Sequence, residues 1–81
     1  MKTKTKGDVI VDDIKLGDTF YEYDVLSNTY NKVTVVSQPI QEGNYWELKV
    51  KTDKGKQITY IISSVAIEAR YNPVLYKTKD K

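Results

Sequence analysis

Residues 45–63 read Tyr-Trp-Glu-Leu-Lys-Val-Lys-Thr-Asp-Lys-Gly-Lys-Gln-Ile-Thr-Tyr-Ile-Ile-Ser, and this stretch decides the fold class. Trp46, Leu48, Val50 and Thr52 fall on one side of a strict alternation, and Glu47, Lys49, Lys51 and Asp53 on the other. A period of two sends successive side chains to opposite faces of a strand, so this run has one buried and one wet face. Asp53-Lys54-Gly55-Lys56 then reads as a tight hairpin turn, with Gly55 supplying the positive φ. Gln57 to Ser63 returns as a second strand, with Ile58, Tyr60 and Ile62 on the apolar face and Ile61 on the other.

Working upstream, Glu42-Gly43-Asn44 marks another turn, and Pro39 ends the ladder of a strand over Lys32 to Gln38 because proline cannot donate. Ser27-Asn28-Thr29 and Asn31 mark a loop. Thr19 to Asp24 is β-branched and aromatic and reads as a strand. Ile14 and Leu16 point the same way before a Gly17-Asp18 turn, and Val9-Ile10-Val11 reads as a short edge strand. Downstream, Ser63-Ser64 caps one short helical turn over Val65 to Arg70, and Asn72-Pro73 stops it. Val74-Leu75-Tyr76 makes a final strand. The expected core is Ile14, Leu16, Phe20, Val33, Val35, Trp46, Leu48, Val50, Ile58, Tyr60, Ile62 and Leu75. Lysine-threonine alternation at residues 2–6 and the run Lys77 to Lys81 offer no apolar surface. Residues 1–7 and 77–81 are therefore expected as disordered basic tails around a domain of residues 8–76.

Eighty-one residues are enough for one domain only. The chain has no cysteine and no histidine, which removes thiol nucleophiles, thiolate or imidazole metal sites and the usual general base near neutral pH. Ser63-Ser64 lacks the glycine elbow of a hydrolase, and the glycines are isolated at turns and build no phosphate loop. The acidic residues Asp8, Asp12, Asp13 and Asp18 lack the offsets of a calcium loop and read as a solvated edge. No catalytic residue, cofactor or metal is expected, and the protein is expected not to be an enzyme. No apolar run approaches the roughly 20 residues that span a bilayer, and no apolar segment follows the basic N-terminus, so a cytoplasmic location is expected. The net charge is +2, with the lysines gathered at both ends and at residues 49–56, while the body leans acidic.

The order strand, loop, strand, loop, strand, tight hairpin, strand, helical turn, short strand resembles a five-stranded SH3-like barrel over residues 13–76. Ile14-Lys15-Leu16-Gly17-Asp18-Thr19-Phe20 resembles the opening of many such barrels. Gly-Asp-Thr-Phe-Tyr-Glu-Tyr-Asp (17–24) with the Pro-Val-Leu-Tyr ending (73–76) resembles small bacteriophage proteins of this type. Phe20-Tyr21-Glu22-Tyr23 and Tyr45-Trp46 are also similar to the aromatic strands of peptide-binding SH3 domains. The short loop at 25–31 and the spacing around the helical turn depart from that family, so polyproline binding is not carried over.

Without catalytic groups, the chain is expected to act by binding. Tyrosine buries a large area with few rotors, which favours it at interfaces. Tyr21, Tyr23, Tyr45 and Tyr71 are therefore the candidates for protein binding, and the first functional reading is a small protein-binding module. On the phage resemblance, its partner would be a bacterial host protein that it engages or inhibits. A second reading is an RNA- or DNA-binding barrel that grips phosphate through Lys49, Lys51, Lys54 and Lys56, although Glu47 and Asp53 interrupt that cluster. A third is a homo-oligomeric or virion-associated structural protein.

Overall fold

The alternating stretch forms the central hairpin of a single mostly β domain. The structure is a computed structural model, and it describes residues 2–78. Six strands form: β1 (Thr19–Asp24), β2 (Thr29–Val35), β3 (Ile40–Glu42), β4 (Tyr45–Thr52), β5 (Gln57–Ser63) and β6 (Leu75–Tyr76). All pairings are antiparallel, and the path through the sheet is β3-β4-β2-β1-β6, with β5 on the other side of β4. The helical content among the described residues is two 3-10 turns, Val11–Asp13 and Ala69–Tyr71.

The count of five strands is corrected to six. Val33 to Val35 pair with Val50 to Thr52, and Ile40 to Glu42 pair with Tyr45 to Glu47 on the same edge of β4. Pro39 stands between them and has no N–H to donate, so one long line is split into β2 and β3. Gly43, at φ 59, then supplies the first central residue of the two-residue turn into β4.

The sheet also stays open, where a closed barrel was expected. Residues 6–8 take the outer edge of β6: Lys6 N–H donates to Pro73 O at 3.0 Å and Asp8 N–H to Leu75 O at 3.1 Å. That edge has no room left for β5. The N-terminal stretch expected as a tail lies here, with Thr3 and Thr5 buried beside Val9 and Val11 while Lys2, Lys4 and Lys6 point outward. Thr5 N–H donates to Val9 O and Val11 N–H to Thr3 O, so the segment folds back on itself. Gly7 makes the close approach possible, since a Cβ there would stand 2.0 Å from Leu75 O. At the other end, Lys77 and Thr78 are exposed, and Lys79 to Lys81 lie outside the described residues.

The core gathers Val9, Val11, Ile14, Phe20, Val33, Val35, Leu48, Val50, Tyr60, Ile62 and Leu75, with Trp46 and Ile58 packed against it partly buried. Leu16 is a correction: it is 61% exposed. The turn begins there, with Gly17 at φ 93 and its N–H on Val35 O, and it swings Leu16 out while Ile14 stays in. The β4–β5 hairpin closes as read. Gly55 N–H donates to Thr52 O at 2.9 Å, Thr52 N–H donates to Lys56 O at 2.8 Å, and Gly55 sits at φ 86. That is a three-residue loop whose last residue is left-handed, the position glycine fills at least cost.

Candidate functional site

The four candidate tyrosines do not form one surface. Tyr21 and Tyr23 stand on the outer face of β1, opposite in sense to Phe20, which is buried. Tyr23 pairs across the ladder with Tyr30, ring centroids 5.0 Å apart, and Tyr30 lies 6.1 Å from Tyr76, which is itself the partner of Tyr21. Tyr23 also donates its hydroxyl to Asn28 Oδ1 at 2.6 Å. These half-buried rings cover one another, so they act first as cross-strand packing on the outside of β1, β2 and β6. Tyr30 and Tyr76 were not singled out in the sequence. The signal that could have found them is strand register: β1–β2 puts Tyr30 opposite Tyr23, and β1–β6 puts Tyr76 opposite Tyr21.

Tyr45 and Tyr71 meet elsewhere. Tyr45 opens β4 on its outer face, where it pairs with Ser63, and Ile61 follows diagonally on the same face of β5. The second 3-10 turn carries Tyr71 over this end of the hairpin. Together Tyr45, Ile61, Ser63, Glu68, Tyr71 and Asn72 line a cleft of about 360 Å³. Tyr71 is 74% exposed and Ile61 51% exposed, so this is an apolar surface presented to solvent. Arg70 lays its guanidinium over the Tyr71 ring, 4.8 Å from its centre.

Asn72 builds the floor of the cleft. It is buried, its Oδ1 accepts the Ser63 N–H at 2.8 Å, and its Nδ2 donates to Ser63 O at 3.0 Å. Its side-chain amide thus acts toward β5 as one residue of a neighbouring strand would. Ser63 Oγ donates to Glu68 Oε1 and accepts the Val65 N–H, which fixes the bend leading out of β5; the expected capping of the helical turn is a correction, since that turn forms later, at Ala69–Tyr71, with Glu68 before it making no side-chain cap.

Carboxylates rim the cleft. Tyr45 donates its hydroxyl to Glu42 Oε2 at 3.2 Å; that hydrogen bond, then the Glu42 charge, raises the Tyr45 phenol above its ordinary value. Glu47 lies one pair along β4, opposite Ile61, and holds Lys49 at 3.6 Å. The lysines of residues 49–56 come together at the far end of the same hairpin, with Lys49 and Lys51 on the outer face and Lys54 and Lys56 at the turn. A further cleft of about 520 Å³ lies between Val9, Ile14, Phe20 and Lys77. Its carboxylates are engaged, Asp13 by Lys2 at 3.0 Å and Asp18 by the Lys15 N–H at 2.9 Å.

No protein-family model, no curated protein and no solved structure matches the chain. The site is therefore read on its own chemistry. Among the described residues, no group of three or more His, Cys, Asp or Glu side chains is placed to hold a metal ion. No helix among them is long and apolar enough to cross a membrane. What the cleft offers is exposed aromatic and aliphatic area, one ordered amide and an acidic rim.

Proposed function

We propose that the protein is a non-enzymatic binding module, and that Tyr45, Ile61 and Tyr71 dock an apolar side chain of a partner protein. The observation that carries this reading is the exposure of two aromatic rings and an isoleucine around one cleft at the end of the β4–β5 hairpin, since exposed apolar area of that kind marks interaction sites. Glu42, Glu47 and Glu68 on the rim favour a partner segment in which a lysine or arginine neighbours the apolar residue.

The finer fold reading supports a module of this type. The meander β1, β2, β4, β5, followed by a 3-10 turn and a last strand returning to β1, supports reading the fold as an SH3-like barrel whose seam is left open. In the phage reading, the module is an accessory protein in the host cytoplasm that engages or inhibits a bacterial protein.

The test uses three forms of the chain to capture partners from bacterial lysate: wild type, Tyr45→Ala/Tyr71→Ala, and Lys49, Lys51, Lys54 and Lys56 all changed to Gln. A protein held by wild type and by the glutamine variant, and lost from the double alanine variant, supports the reading; a true anchor loses about 2 kcal/mol or more. A nucleic acid held by wild type and released by the glutamine variant overturns it in favour of phosphate binding, whose affinity would also fall steeply with salt.

A further inference from the structure

A strand bonds in one direction with every second residue and in the other with those between. In β5 the even residues serve β4: Ser64 N–H reaches Asn44 O, and Lys56 O accepts from Thr52. The odd residues therefore face away from β4, and Ser63 does so, with both its backbone groups taken by Asn72. Gln57, Thr59 and Ile61 are left. They are exposed, and among the described residues no backbone or side-chain partner meets their N–H and C=O groups on that edge. The strand from Gln57 to Ser63 has no charge, no proline and no bulge, the devices that ordinarily protect an edge.

We propose that this edge pairs with the same edge of a second copy of the chain, antiparallel and centred on Thr59. The free run has the right symmetry for it. With Thr59 opposite Thr59 of the other copy, Gln57 falls opposite Ile61, and each of the free residues finds both a donor and an acceptor. Asn72 ends the run at one side and the hairpin turn at the other, so the register cannot slide without leaving groups unpaired. A threonine–threonine pair at the two-fold axis is favourable across strands. Charge agrees. In this register the basic turns of the two copies, with Lys54 and Lys56, stand at opposite ends of the paired run and do not face each other. This pairing uses the backbone of Ile61, whose side chain lines the partner cleft, and extends the hairpin sheet sideways from that cleft.

Sedimentation equilibrium on the whole chain, up to millimolar concentration, tests the pairing with two variants. Thr59→Pro removes the central donor on the free edge while leaving the β4 ladder intact, because the Thr59 N–H does not face β4. Ile61→Lys places a charge on the same edge, and it carries the test if the proline variant fails to fold. The expected result is a wild-type dimer whose self-association weakens about tenfold or more in each folded variant. A wild-type chain that stays monomeric at millimolar concentration overturns the proposal. A dimer that neither variant weakens overturns it as well, since the contact would then lie elsewhere.

Discussion

Replacing Gly7 with alanine adds one methyl group, and the structure says where it must go. An ideal Cβ on Gly7 stands 2.0 Å from Leu75 O and 2.7 Å from Leu75 C, atoms of the β6 backbone with no side-chain freedom to yield. Relief requires the N-terminal segment to move off β6 by more than an ångström. That move breaks the hydrogen bonds from Lys6 N–H to Pro73 O and from Asp8 N–H to Leu75 O, worth about 1 kcal/mol each. It also loosens Val9 and Val11, 1% and 0% exposed, whose complete loss from the core would cost about 1.5–3 kcal/mol each. Gly7→Ala should therefore destabilise by roughly 2–5 kcal/mol, a large part of the stability of so small a domain. Urea unfolding followed by tryptophan fluorescence gives the change in midpoint. Brief proteolysis under native conditions should cut the variant, and not the wild type, within the first residues. A Gly7→Ala protein within about 0.5 kcal/mol of wild type would refute the docking of this segment on β6.

Leu48→Ala should cost about 2–5 kcal/mol, because Leu48 is fully buried at the centre of the sheet, whereas Leu16→Ala should be near neutral; paired thermal melts check both. Tyr60→Phe should be neutral or stabilising, since the Tyr60 hydroxyl is buried without a well-formed hydrogen bond. Burial first, then the nearby Glu22 carboxylate, raises the Tyr60 phenol far above its ordinary 10.0. The raised group leaves stability intact below pH 10 and withdraws it as the pH climbs beyond, when the unfolded chain ionises and the folded one does not. The phenylalanine variant should thus lose less stability than wild type between about pH 10 and 12, and equal losses would refute that assignment.

The central hairpin was legible because two signals agreed there, an unbroken alternation and a glycine in the position that needs one. Where signals conflicted, the sequence misled. Thr29 to Asn31 carry loop residues, yet they pair with Glu22 to Asp24; the turn needs only residues 25–28, with Asn28 taking φ 54. β3 is too short to show an alternation. The N-terminal segment did carry a period of two, with threonines inward and lysines outward, but threonine is not read as a core residue and the charge count suggested a tail. Tyr21, Tyr23, Tyr45 and Tyr71 are singled out in the sequence as surface candidates; their division between a packed face and an exposed cleft depends on register and on the second 3-10 turn.

The hydroxyl of Thr5, which donates to Val9 O at 2.9 Å, also lies 3.5 Å from Leu75 O, 70 positions along the chain, and the Asp8 N–H donates to that same oxygen. Residues 5–8 therefore have no docking place until β6 has been made. A meander of neighbouring strands can assemble from local contacts while translation proceeds, but residues 5–8 must wait for β6, and closing so long a loop costs entropy. Val9 and Val11 stay wet in the meantime. The half-made protein is a sheet with one side of its core uncovered, and the rate at which β6 lands on β1 sets how long that surface is available to chaperones, to other chains, or to aggregation.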